Sequence, residues 1–227
     1  MENVYLCSDN SFLERIFMKK YLFAVILACC SLSMAAQDGS IQVNYKGAKP
    51  TISDFITAYL APSPDEEECD GEAVNHIRNA WNRYQKGLKQ EEGVTLNVDV
   101  KNGFAVYETR SNYDGHEHLV RIEMCYWNFD DQKHKLFAYN YMCFDNGKYS
   151  ASQYDGLTLC KYDNAKKSMF YTSDAGVDAA IEASAEGVWT TFALPRSGKD
   201  ITITRWLPSG MTSSETLKWN GHGFNYK

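Results

Sequence analysis

The chain has 227 residues, 44% of them hydrophobic and 23% charged, with a formal net charge of -6. That apolar fraction excludes an intrinsically disordered chain, which lacks enough core-forming residues to offset its ordering entropy. The acidic balance excludes a general nucleic-acid binder, whose phosphate contacts need clustered Lys and Arg.

The first 36 residues read as a secretory signal peptide. Lys19 and Lys20 precede the apolar run Tyr21–Cys30, and small residues follow at Ser31, Ser33, Ala35 and Ala36. A basic start, a short apolar stretch and a small-residue cleavage site are the parts of such a leader. The run falls short of the ~20 apolar residues that a membrane helix needs. Residues 1–17 lie upstream of Met18-Lys19-Lys20, the more natural start, so they read as a mis-called start or as an extended basic start of the leader. Ile26-Leu27-Ala28-Cys29 loosely resembles a lipobox, and membrane attachment is expected only if Cys29 is lipidated. The mature chain is then residues 37–227, a single domain, still at -6 because three bases and three acids leave together. Cys69, Cys125, Cys143 and Cys160 remain. Four cysteines in an oxidising compartment allow one or two bridges and three full pairings. The alternative is that the strand cysteines are small buried hydrophobes.

Two helices open the mature chain. Ile52, Phe55, Ile56, Tyr59 and Leu60 fall at helical spacing, with Thr51 and Asp54 placed to cap the start. Pro62 and Pro64 break that helix. After the acidic stretch Asp65–Asp70, a second helical stripe runs through Val74, Ile77, Trp81, Tyr84 and Leu88. From Val94 the period switches to two: Val94, Leu96, Val98 and Val100 alternate with polar residues, as in a half-buried strand. Asn102-Gly103, Asn146-Gly147 and Asn220-Gly221 are hairpin signals, because Asn-Gly accepts the positive φ of a type I′ turn. Asp114-Gly115 and Asp155-Gly156 are weaker relatives. Between them lie runs 119–129, 136–144 and 157–162, an antiparallel meander. Phe129–Phe137 aligns without gaps on Tyr162–Phe170, which reads as one turn chemistry used twice. A short helix near 176–185 and strands at 188–194, 201–206 and 215–219 complete the chain.

Three stretches carry a resemblance: the leader; Cys125-Tyr126-Trp127-Asn128 with Lys133-His134-Lys135-Leu136; and the ending Ala193–Ile201 with Thr216–Gly221. They resemble small secreted, β-rich proteins of Bacteroidetes-type bacteria. Such proteins have no assigned activity, so the resemblance implies an exported address and supplies no mechanism.

Few constellations suggest chemistry. His116 and His118 alternate, so on a strand both imidazoles point to one face and could share a ligand or, with a further partner such as His76, His134 or His222, a metal. The competing reading is an exposed polar loop, and no metal site is assigned. The acids 65–70 lack the spacing of a calcium loop and read as a solvated helix start. Gly-x-Ser-x-Gly, Ser-x-x-Lys and His-Glu-x-x-His are all missing, and no cofactor motif occurs. Phe137, Tyr139 and Tyr141 share one strand face and read as core. Trp127 is the exception, since Arg121, Glu123 and Cys125 on its face are mostly polar.

The expected fold is α+β: N-terminal helices packed on one large twisted antiparallel meander of roughly eight to ten strands, with a closed or partly closed β-barrel as the alternative. The expected function is an exported, non-catalytic binding or interaction protein of the bacterial envelope, with Trp127, His116 and His118 as binding residues. Its partner is an unknown glycan, peptide or protein, not nucleic acid. The alternatives are a small secreted hydrolase whose acid–base site the fold assembles, and an envelope structural component.

Overall fold

A computed structural model describes residues 39–62, 71–113, 115–152 and 155–226. The expected leader with Cys29, and the acidic stretch with Cys69, lie outside the described residues. All the elements fall in one unit, residues 41–227. Among the described residues no helix is long and apolar enough to cross a membrane.

The helical stripes form as their spacing predicts, except that Leu88 lies beyond the end of the second helix and is exposed. Helix α1 (Ile52–Tyr59) starts at Thr51, whose N–H and hydroxyl both donate to the Asp54 carboxylate, at 2.7 and 2.8 Å. Such a cap satisfies backbone donors that the first turn leaves unpaired. Helix α2 (Gly71–Gln85) buries Ile77 and Trp81 and leaves Tyr84 partly exposed. The Trp81 indole donates to Thr57 Oγ1, tying the two helices together.

The strands form two sheets, and this corrects the expectation of one. The first holds β1 (Ile41–Gln42), β2 (Val94–Asp99), β3 (Phe104–Tyr113), β4 (His116–Asn128), β5 (His134–Asp145), β6 (Lys148–Tyr149), β7 (Gly156–Asp163) and β8 (Ser168–Thr172). Its order is β1-β8-β7-β5-β4-β3-β2, with β6 also on β5, antiparallel throughout. It curls strongly into a half-barrel, with β1 and β2 as its two edges, so the closed-barrel alternative is excluded. Helix α3 (Ala175–Glu182) follows, and then a second sheet in the order β12-β11-β10-β9. Its strands are β9 (Trp189–Ala193), β10 (Ile201–Trp206), β11 (Thr212–Trp219) and β12 (Phe224–Asn225).

Each face of the large sheet therefore has its own core. On one side Ile52, Phe55, Ile56, Ile77 and Trp81 of the helices pack on Tyr107, Ile122, Met124, Phe137, Tyr139 and Cys160. The other side joins Phe104, Cys125, Trp127, Leu136, Ala138 and Leu159 to Val177, Ala180, Phe192, Ile201, Ile203 and Leu217. The physical reason shows in β5, which is buried at nearly every position from Lys135 to Cys143. An unbroken apolar run marks a strand covered on both faces, whereas alternation marks one covered on a single face.

The small sheet meets the large one across its strands. Glu123 of β4 and Asn140 of β5 are register partners. Asn140 Nδ2 donates to Phe192 O at 2.5 Å, and Leu194 N donates to Glu123 Oε2 at 2.7 Å. These side chains satisfy the backbone edge of β9 that β10 does not reach, which protects it as an exposed sheet edge needs.

The turns differ in detail from the Asn-Gly reading. Only Asn146-Gly147 has positive φ at both residues, 47° and 75°, and it links the paired Asp145 and Lys148 directly. After β2 a four-residue loop intervenes, and the Asp99 side chain accepts from Asn102 N. Gly103 there has φ +66° and lies against the Tyr126 ring, so a side chain would meet both strain and a clash. The doubled segment shares a turn chemistry one position out of its gap-free alignment, which sets Asp131 against Asn164 and Asp130 against Asp163. Asp131 accepts from the N–H groups of Lys133 and His134, and Asp163 from those of Ala165 and Lys166.

Candidate functional site

The three residues singled out from sequence lie apart. His116 and His118 do share a face at the open end of β4, but each ring has its own neighbour. His118 Nδ1 is 2.7 Å from Asp145 Oδ1, and His116 Nδ1 is 2.9 Å from the Asn146 side-chain amide. The Asp145 carboxyl is held below its ordinary value by hydrogen bonds from Ser150 and then His118. Among the described residues no three His, Cys, Asp or Glu side chains group so as to hold a metal.

Trp127 is 4% exposed, which corrects the expectation of an exposed indole. Its ring stacks on Trp219 with centroids 5.8 Å apart, and its N–H donates to Lys199 O at 2.8 Å. On the same face Glu123 and Cys125 are buried too, beneath the small sheet, while Arg121 stays partly exposed. Arg121 binds Glu108 and Glu123 at 2.9 and 2.8 Å, and Glu123 is also the anchor for Leu194. The Phe137, Tyr139 and Tyr141 row is core: Phe55 stacks on Phe137 and Tyr59 on Tyr139, at 5.7 and 4.9 Å.

A different aromatic group reaches the surface. Trp189 and Trp206 are register partners on β9 and β10. They lie against Tyr149 of β6 and Phe144 of β5, so the corner joins the two sheets. Trp206 stacks on Tyr149 at 6.0 Å with a 28° interplanar angle, Phe144 packs on Trp206 at 6.1 Å, and Tyr149 meets Trp189 at 6.3 Å. Trp189 is 56% exposed, and Met211 in the adjoining β10–β11 turn is exposed as well.

The corner is rigidly backed. Tyr149 O–H donates to Asp155 Oδ2 at 2.8 Å, the same oxygen that accepts Ser152 N, which pins the β6–β7 loop. Burial, reinforced by the Asp155 hydrogen bond, pushes the Tyr149 phenol above its ordinary range. The Trp206 indole donates to Thr191 Oγ1 at 2.9 Å, so its polar edge is already used. Trp189 has no such bond among the described residues, leaving an exposed π-face and a donor for a ligand. Large amphipathic rings on fixed backing bring contact area at little entropic cost, as binding surfaces need.

Sequence reasoning passed over this corner because Trp189 and Trp206 sit in runs that read only as strands. A usable signal was present. Trp189 and Trp206 each fall in step with threonines, Thr191 on one strand and Thr202 and Thr204 on the other, while Phe192, Ile201 and Ile203 take the alternate positions.

Comparisons with protein-family models, with curated proteins and with solved structures each find no match to the chain.

Proposed function

We propose that the chain is an exported, non-catalytic binding protein of a bacterial envelope, and that the Trp189–Trp206 corner is its ligand-facing surface. The observation that carries this reading is Trp189 itself, a tryptophan 56% exposed on a backing of three packed aromatic rings. Leaving that much indole in water forgoes burial worth ~25 cal/mol per Å² of apolar surface, a loss that a ligand would recover. The leader Lys19–Ala36 and the resemblance to secreted β-rich proteins support the address.

The hydrolase reading has less to work with. Glu108 and Glu123 share one face, yet both are engaged by Arg121, and Glu123 also holds the β9 backbone. Carboxylates used this way hold the fold together; a general acid must instead be able to reach substrate.

The test is to expose the purified protein to a combined glycan and peptide array, then recover the retained component and determine its mass. Retention with the ligand intact is expected. Turnover of the ligand would favour the hydrolase, and no retention by any component would contradict the binding reading.

A further inference from the structure

We propose that the outer face of the four-stranded sheet extends the Trp189 corner and binds a neutral polysaccharide chain. The proposal rests on the reading of that corner as ligand-facing and names its ligand class.

The register of β9, β10 and β11 lays out three cross-strand rows on this face. Trp189, Trp206 and Thr212 form the first, Thr191, Thr204 and Ser214 the second, and Ala193, Thr202 and Thr216 the third. Burial confirms the alternation: Ile201, Ile203 and Leu217 are buried, while Thr202, Thr212, Ser214 and Thr216 are exposed and Thr204 half-buried. Thr191 is buried as the acceptor for Trp206. Five hydroxyls are thus presented beside one open indole.

None of the nine positions is ionisable, in a chain where 23% of residues are charged. Charge resumes one row further along, at Lys218 of β11 and at Asp200 just before β10. The lattice is regular, with strands ~4.8 Å apart and same-face residues ~6.7 Å apart along each strand.

Three ligand chemistries can be weighed against this surface. An anionic chain would find no cation in the rows. An apolar ligand would cover five hydroxyls without pairing them, and unpaired polar groups are costly to bury. A neutral polysaccharide suits both halves: its hydroxyls donate to and accept from Thr and Ser, and the C–H face of a sugar ring lies on indole.

The experiment is native gel electrophoresis of the full-length protein through gels containing hydroxyethyl cellulose, xyloglucan, mixed-linkage β-glucan or galactomannan, with polygalacturonate and heparin as anionic controls. At least one neutral polymer should retard the protein, and the anionic ones should not. The double variant T202V/T216V keeps side-chain shape and removes two hydroxyls. It and W189A should each weaken retardation by about tenfold or more, the loss expected at a central contact. Quenching of tryptophan emission by the retarding polymer is a second readout on the unsubstituted protein.

No retardation by any neutral polymer would overturn the proposal. So would retardation by the anionic polymers alone, or full retention of binding in T202V/T216V. If W189A abolishes binding of some other array component, the corner reading stands and only the ligand class fails. If the threonine variant loses polysaccharide binding and W189A does not, the corner reading fails instead.

Discussion

The backbone N–H of Leu194 donates to the buried carboxylate of Glu123, 71 positions earlier in the chain, at 2.7 Å. This bond and its neighbour from Asn140 to Phe192 fasten the second sheet to the first. Glu123 is 3% exposed and also binds Arg121. Removing the carboxylate strands a backbone donor and leaves a guanidinium short of a partner. E123A should cost about 2–4 kcal/mol of stability in urea unfolding. A change below about 0.5 kcal/mol would show that the two sheets are not joined through this group.

Trp127 supports the same junction from the core. W127A should lower stability by about 3–5 kcal/mol, the range for deleting a buried aromatic side chain, and should leave the affinity of the folded fraction for ligand unaltered. Lost affinity at unchanged stability would return Trp127 to the binding surface.

Much of the fold was legible from periodicity. Thr51 and Asp54 marked the start of α1, and the alternation from Val94 marked β2. The burial of Trp127 was not legible, because Arg121, Glu123 and Cys125 make its face look solvated. Their partners come from Leu194 and from Glu108 on β3, and no local pattern reports that pairing. The one sequence signal for a second layer was the apolar run Leu136–Phe144, unbroken except at Asn140, which is too continuous for a strand covered on one face. The site was harder to read than the fold. Whether an indole on β9 is open or covered depends on how the small sheet stands on the large one.

The described cysteines behave as small hydrophobes. Cys125, Cys143 and Cys160 are free and buried, and burial pushes the Cys160 thiol up to about 12 and the other two upward. Thiolates are the reactive form. Iodoacetamide at pH 8 should therefore leave all three unlabelled in the native protein and label them in guanidinium, as read by peptide mass mapping. Native-state labelling, or a bridge between any two of them, would contradict this.

Acid sensitivity has an identifiable contributor in the turn after β4. The hydrogen bond to His134 holds Asp131 at about 2, below its ordinary 3.8. A carboxyl depressed in the folded state adds stability that is complete above the ordinary value and lost as pH falls through the folded one. The D131N variant should consequently show a shallower loss of stability between about pH 4 and 2, with the difference reduced by salt because the pair is exposed. Identical acid limbs for the two proteins would exclude this contribution.

The central claim is that Trp189 meets the ligand. Its direct test is the ratio of dissociation constants of W189A and the unsubstituted protein for the same retained glycan, with the unfolding midpoints measured alongside. Because Trp189 is mostly exposed, the midpoint should hardly move while the dissociation constant rises about tenfold or more. A ratio near one, with both proteins folded, would contradict the account.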